Sequence, residues 1–535
     1  MRISTSQSYD NYSSQYSREY DKMDKTNAQI SSGERIQTAG DDPVASARLQ
    51  QLAQQQTRLS QYSTNLDTAN SALSSEDSTL SSINTLLQNA RSLTVQAGDG
   101  SLSDSDRSAI STQLGDIEDE LYGLMNTQDA NGNYVFSGSN REVQPYIKNA
   151  DGSYTYQGDQ NTLALQVSDT QQLQTNDNGY SVFETSSNAA QTSSQLVASP
   201  TGDDGTQRVF LSQGTVSDQD SFDSDYRDGA PYTLEVVSDT QFKIRDSQGV
   251  DVTSEVNGNP NGTFDATADE PTKLQFRGAE LSLSTSFKAT DDTQDSGTLV
   301  SGYRFEFGVK PDDFAIQRNA SNSSTAQISG GTVSDSTAYS TTFPERGVQL
   351  TFTSADSYDV YALPRAADSR PIGSGSVNTD ASTGEKSLTV LGVNFDLSGE
   401  AATGDRFTLD GSSNRNQNVL NTLSTLRKAL DTPTSDDPQA ALDLQDTLAA
   451  SLTNLDNGLD QVSKTYASVG SRQNVIDTLK EENQSQALNA TNLQSTLGDT
   501  DMAAATSELT LQQTIIEAAQ SAFASTAKLS LFDKI

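Results

Sequence analysis

Apolar residues recur every seven positions at both ends of the chain, and the middle follows a different rule. Leu52, Leu59, Leu66, Leu73, Leu80 and Leu87 share one stripe, with Tyr62, Ala69, Ile83 and Ala90 at the accompanying position. A period of about 3.5 residues held over this length calls for helices supercoiled around other helices. At ~1.5 Å per residue the stripe predicts a rod of roughly 50 Å. Gly98 and Gly100 stop it. A second helix opens at Ser103, an N-cap followed by Asp104 and Asp106, with Ile110, Leu114, Ile117, Leu121 and Leu124 as its apolar face. Near the C-terminus, Val419, Leu423, Leu426 and Leu430 predict a short helix ended by the segment Thr432–Pro438. Beyond it, Leu448, Leu452, Leu455, Leu459, Val462, Tyr466, Val469 and Ile476 keep a four-three spacing. The residues expected to pack the rod are Leu52, Leu59, Leu66, Leu73, Leu80, Leu87, Leu455, Val462, Val469 and Ile476. Ser, Gln, Asn and Thr flank these stripes rather than Glu–Lys pairs, so the helices are expected to pair within one chain.

From about Tyr134 to Leu409 the pattern alternates apolar with polar and is cut by Gly-centred turns, as in β-structure. Three pairs of segments recur there in the same order. GTVSD stands at Gly214–Asp218 and at Gly331–Asp335, GAELSLS at Gly278–Ser284 is echoed by GVNFDLS at Gly392–Ser398, and YRFEF at Tyr303–Phe307 by DRFTL at Asp405–Leu409. Shared order predicts duplication and two tandem β modules.

Two weaker patterns close the chain. Tyr9, Tyr12, Tyr16, Tyr20 and Met23 lie at helical spacing, and Met502, Leu509, Ile516 and Phe523 are spaced by seven, beside Ala505, Ala519 and Ala522. Each predicts an amphipathic helix with one narrow apolar stripe. Alone it buries too little to offset its ordering entropy, so these helices are expected to order by pairing with each other and with neighbouring subunits. The expected fold class is α+β and multidomain: a coiled-coil or bundle rod from the N- and C-terminal segments, with two β-rich modules inserted. The expected divisions are 1–48 (terminal helix), 49–145 (rod), 146–204 (β-rich connection), 205–316 and 317–410 (modules one and two), 411–497 (rod) and 498–535 (terminal helix).

Composition narrows the chemistry. The 535 residues include no His, Cys or Trp, and 34 Lys and Arg stand against 72 Asp and Glu, a net charge of −38. No Cys or His nucleophile, Ser-His-Asp triad, imidazole ligand or disulfide can form. Such acidity disfavours nucleic acid and anionic membranes as partners. Basic residues balance acids over the first 60 positions, whereas Asp218, Asp220, Asp223, Asp225 and Asp228 crowd the first module. Neutral ends can pack on copies of themselves while acidic modules stay solvated. No apolar signal core or membrane-spanning stretch is visible. Adjacent acids at Asp203–Asp204, Asp291–Asp292, Asp312–Asp313 and Asp436–Asp437 read as solvated turns. DQDSFDSD at Asp218–Asp225 lacks the glycine and closing Glu of a calcium loop. With no Gly-rich phosphate or dinucleotide fingerprint either, the expectation is a non-enzyme without catalytic residues, metal or cofactor.

Ser32–Leu49, SGERIQTAGDDPVASARL, resembles the SGxRIxxAxDDPAxxAxxx segment of the bacterial flagellin family, and Thr506–Phe532 is similar to its C-terminal helix. The MRIST start and NGNYVFSGS at Asn131–Ser139 resemble the hook-associated branch of that family. The resemblance covers about the first 145 and last 120 residues. It implies a structural subunit, exported unfolded by the flagellar type III apparatus, that assembles as an extracellular ring between hook and filament. Its implied partners are other copies of itself, the first hook-associated protein, flagellin and a cytoplasmic export chaperone that binds the helix holding Met502, Leu509, Ile516 and Phe523. The duplicated β region and the ending Phe-Asp-Lys-Ile depart from the family pattern. Two other readings stay open: a filament flagellin, or a secreted adhesin or glycan-binding protein acting through its modules.

Overall fold

The computed structural model describes residues 5–149, 152–200, 206–268, 270–288, 291, 295–310, 314–319, 322–344, 347–366, 369–380, 386–410, 415–435 and 437–532. Its secondary structure is helical at both ends and β-rich between: α1 (Thr5–Ser32), α2 (Pro43–Ala97) and α3 (Asp104–Met125) precede the strands, and α4 (Val419–Leu430), α5 (Pro438–Gly498) and α6 (Met502–Phe532) follow them. Two compact units result. The first holds residues 1–71, 164–174 and 471–535, and the second residues 72–163 and 175–470.

In the second unit, Leu73, Leu80 and Leu87 of α2 and Leu455, Val462 and Val469 of α5 are all buried. Asn84–Ser463 (3.2 Å) and Arg91–Asp456 (2.5 Å) bond across the pair and step along the two helices in opposite directions, so they run antiparallel. The expected companion stripe on α5 is only partly used: Leu452 and Leu459 are half-buried and Tyr466 is exposed.

α3 begins in a capping box in which Ser103 and Asp106 satisfy each other's backbone N–H groups. Its expected apolar face needs correction, because Ile117 and Leu124 are half-buried while Glu118 and Met125 are buried. Glu118 is buried by pairing. It accepts from the Tyr154 hydroxyl (2.6 Å) and the Lys148 ammonium (3.2 Å), both on the hairpin β1 (Tyr146–Lys148) and β2 (Tyr154–Tyr156), and from Arg427 of α4 (2.9 Å). Gly115 makes room, since a side chain there would meet the Arg427 guanidinium at 2.9 Å.

The duplication is visible strand for strand. Apart from the hairpin β1–β2 and the hairpin of β3 (Ala164–Gln166) and β4 (Gln172–Gln174), the strands form two sandwiches. Module one contains β5 (Thr192–Ala198), β6 (Val209–Leu211), β7 (Thr215–Val216), β8 (Tyr232–Val236), β9 (Phe242–Arg245), β10 (Val256–Asn257), β11 (Thr272–Phe276), β12 (Ala279–Thr285) and β13 (Arg304–Val309). Its sheets run β5-β13-β8-β9 and β10-β11-β12-β6, with β7 also on β12. Module two contains β14 (Ala315–Arg318), β15 (Gln327–Val333), β16 (Val348–Ser354), β17 (Ser357–Ala362), β18 (Gly373–Ser376), β19 (Asn378–Thr379), β20 (Lys386–Val390), β21 (Val393–Ser398) and β22 (Arg406–Asp410). Its sheets run β14-β22-β16-β17-β18 and β15-β21-β20-β19. In each module the first strand pairs with the last, and the second joins the late hairpin; β18 is the addition. One apolar cluster fills each sandwich, including Tyr232, Phe276 and Phe307 in the first and Phe352, Phe395 and Phe407 in the second.

The repeated motifs occupy equivalent places. The hairpins turn at Arg277–Gly278 (φ 48° and 85°) and at Leu391–Gly392 (φ 48° and 91°), the left-handed pair of a two-residue turn. Each glycine carbonyl accepts two backbone N–H groups of the repeated GTVSD, from Ser217 and Asp218 (2.8 and 3.1 Å) and from Ser334 and Asp335 (2.8 and 3.0 Å). Asp218 and Asp335 then cap the short helices that follow. The acidic run after Asp218 is thus cap and surface, with Asp223 paired to Arg227 at 2.6 Å.

Asp291 is a correction, since it was expected on a solvated turn. It is 4 % exposed and grips Arg208 through two bonds of 2.9 and 3.1 Å. Asp437 bonds two N–H groups at the start of α5, while Asp203, Asp204, Asp292, Asp312, Asp313 and Asp436 lie outside the described residues.

Candidate assembly surface

The first unit is built around the turn that joins α1 to α2. Gly33 ends α1 by taking φ +75°, which lets its N–H return to the Gln29 carbonyl at 2.9 Å. Asp41 then braces the turn. Its Oδ2 accepts from the Gln37 and Thr38 N–H groups (3.2 and 2.9 Å), and its Oδ1 pairs with the Lys25 ammonium at 2.5 Å. Lys25 first, then these N–H groups, hold the Asp41 carboxyl well below the usual carboxylate range. Asp42 Oδ1 accepts from the Ala45 N–H (3.0 Å), which caps α2 ahead of Pro43 at its first position. The spacing SGERIQTAGDDP is therefore a stop, a brace and a start.

The same turn is tied to the C-terminal segment. Arg35 donates its backbone N–H to the Gly498 carbonyl and its guanidinium to that of Leu497, both at 2.6 Å, and the Thr500 N–H reaches the Gly33 carbonyl at 2.8 Å. A cation thereby meets the last carbonyls of α5, where the helix leaves acceptors unfilled.

From this junction α1 and α6 run antiparallel. The Thr500 hydroxyl meets the Gln29 carbonyl (3.4 Å) at one end, and the Gln520 amide donates to the Tyr16 hydroxyl (3.0 Å) toward the other. Ile516 and Gln512 are buried at 6 % and 4 % exposure, Leu509 and Phe523 are half-buried, and Met502 is 49 % exposed. The seven-residue stripe thus contributes unevenly to this pair. A second apolar row was not anticipated: Leu511 and Ile515 of α6 stand exposed at 54 % and 39 %. On α1, Tyr12, Tyr16 and Tyr20 are exposed, whereas the side chain of Tyr9 lies outside the description. Fully burying a Leu or Ile side chain is worth ~1.5–3 kcal/mol, and part of that is still unspent at Leu511 and Ile515.

Beside the pair, Leu52, Leu59 and Leu66 of α2 and Ile476 of α5 are buried. Gln56–Thr491 (2.9 Å) and Asp67–Lys480 (2.8 Å) cross-link the two helices antiparallel. The hairpin β3–β4 docks on them by burying Val167 and Leu173 and by bonding Asn65 to the Gln166 carbonyl (2.7 Å) and Tyr62 to Asp169 (2.8 Å). Strands of three residues so far along the chain gave no signal of joining this unit. No helix among the described residues is long and apolar enough to cross a membrane.

Residues 3–141 match the bacterial flagellin N-terminal helical region and residues 452–533 the bacterial flagellin C-terminal helical region. The chain is 32 % identical over 211 residues to flagellar hook-associated protein 3 of Salmonella typhimurium, a match covering 39 % of this chain and 64 % of that protein. It is 30 % identical over 202 residues to the Escherichia coli protein of the same name, covering 38 % and 61 %. Among solved structures, flagellar hook associated protein-3 from Legionella pneumophila aligns with a TM-score of 0.49 at 18 % identity, over 84 % of this chain and 98 % of that one.

Proposed function

We propose that this chain is a structural subunit of the bacterial flagellum at the junction between hook and filament, polymerising through its paired terminal helices. The observation that carries the reading is the pairing of α1 with α6 while both keep apolar rows exposed, within segments that match the flagellin helical regions. The similarity to flagellar hook-associated protein 3 favours the junction over the filament body. On this reading the chain neither binds nor converts a substrate, and it works by transmitting torque between two helical polymers. Antiparallel helices stitched by side-chain bonds suit that load, and the solvated modules need only stay clear of the packed ends.

The partners are then further copies of the chain, the first hook-associated protein on one side and flagellin on the other. An export chaperone would bind the α6 helix at Leu509, Ile516 and Phe523 before assembly. The test is a strain lacking the chain, which should form hooks without filaments and shed flagellin into the medium. Restoration by the full chain, and not by a form without residues 498–535, supports the proposal; filaments that assemble normally without the chain refute it.

A further inference from the structure

We infer that the cleft between α5 and the β5–β7 edge of module one, within the second unit, is a cation site, with Asp443 and Asp446 as its anionic ligands and calcium as its occupant. The cleft has a volume of about 290 Å³, and its walls include Thr192, Gln213, Gly214, Asp443, Asp446 and Asn454. Asp443 and Asp446 are three apart on α5 and therefore on one face of the helix. Asp446 Oδ2 accepts from the Gly214 N–H at 2.6 Å and Asp443 Oδ1 from the Gln439 amide at 2.9 Å. The Ser212 hydroxyl bonds Asp446 as well, and none of these donors is charged. Burial pushes both carboxyls up, Asp446 to about 6, and Asp443 and Glu280 add repulsion to Asp446. Lys310 also lines the cleft, leaving it an excess of negative charge.

A second observation is independent of the acids. Thr192 is 4 % exposed, and its hydroxyl oxygen is buried without a hydrogen-bond partner. It lines the same cleft and would stand only 3.1 Å from a side-chain carbon at Gly214. A buried oxygen left unpaired on the wall of a cleft that also holds two half-buried carboxylates is what a hard cation coordinates.

The duplication supplies an internal control. Gly214 opens the first GTVSD, and its counterpart Gly331 opens the second. At Gly331 a side-chain carbon would press on the Phe314 ring at 2.3 Å, so there an aromatic residue of the same module covers the turn. The second turn therefore folds without facing carboxylates, so the bond from Gly214 to Asp446 does not by itself account for a pair of acids on α5 at the first. Among the described residues no three acidic side chains converge on a metal position. Two carboxylates completed by neutral oxygens and water place the affinity in the weak class, with a Kd of about 10⁻⁴–10⁻³ M.

The experiment uses the full chain, stripped with a chelator and titrated with CaCl2 at pH 7.5 while thermal unfolding and tyrosine-sensitised terbium luminescence are followed. The inference expects a saturable rise in the unfolding midpoint within that concentration range, at least tenfold weaker in Asp443→Asn and in Asp446→Asn, and weaker in Thr192→Val. Far-UV circular dichroism of the metal-free variants checks their folding, and the two variants at other positions keep the test open where one misfolds. A shift of equal size in wild type and folded variants would assign the effect to general screening of the −38 charge and overturn the site. No saturable shift in the wild type would overturn it as well.

Discussion

Glu118 lies one residue from Ile117, which the apolar spacing of α3 places in the core, and the structure exchanges their roles. Apolar spacing marks a helix face only to within one position, whereas three donors from Tyr154, Lys148 and Arg427 select the residue that turns inward. Those donors sit on the β1–β2 hairpin and α4, and nothing local to α3 announces them. Burial, with Glu118 next, pushes the Tyr154 hydroxyl up to about 12. Removing the carboxylate leaves the half-buried Arg427 guanidinium and the Tyr154 hydroxyl without this acceptor, while Lys148 keeps Asp119 at 3.7 Å, so Glu118→Ala is expected to destabilise the second unit by about 2–3 kcal/mol in chemical denaturation. Asp446 has the opposite sign. Its folded pKa of about 6 stands above the ordinary 3.8, so its contribution to stability is complete below about pH 4 and lost as pH rises through 6. Without added divalent ions, Asp446→Asn is expected to be more stable than wild type at pH 7.5 by about 2 kcal/mol, allowing for its partial exposure. It should show no such decline between pH 4 and 7, and denaturation midpoints across that range check both statements.

At the scale of elements, the seven-residue repeat was legible because the stripe is buried in each unit: every leucine from Leu52 to Leu87 in that series is buried. The same spacing misread Tyr466, because the stripe on α5 narrows to Leu455, Val462, Val469 and Ile476. The modules were legible through the repeated turns and the strands beside them, β12 with β21 and β13 with β22, and the turns are the more constrained because a tight hairpin limits residue type more than a sandwich strand does. A side-chain carbon at Gly278 would stand 2.4 Å from the Asp218 carbonyl, and one at Gly392 would stand 2.5 Å from that of Asp335. Gly278→Ala and Gly392→Ala should therefore each cost more than 1 kcal/mol, each mostly in its own module, as read by hydrogen exchange. For the terminal helices, Ile516→Asp puts a carboxylate into the α1–α6 seam. It should abolish polymerisation in vitro and swimming in cells while the modules stay folded; normal motility in that variant would count against the terminal pair as the assembly element.

Across the whole molecule, charge separates as the two units do. The first unit carries 11 Lys and Arg against 17 Asp and Glu, and the second carries 23 against 55. The near-balanced unit is the one whose helices expose apolar rows, so the surface proposed to meet other copies is also the one least penalised by self-repulsion. Composition showed the trend at the N-terminus. The hairpin β3–β4 was hidden because its partners lie far away in sequence. Deleting residues 206–409 removes most of both modules, and the junction reading expects assembly to survive, since the terminal seam is untouched. The adhesin reading expects that deletion to abolish surface binding.

The central claim, a subunit seated where hook meets filament, is tested most directly by immunogold electron microscopy of intact flagellated cells with antibody raised against the β modules. Label confined to a short band at the base of each filament is the predicted result. Label along the full filament, or away from flagella, would contradict it.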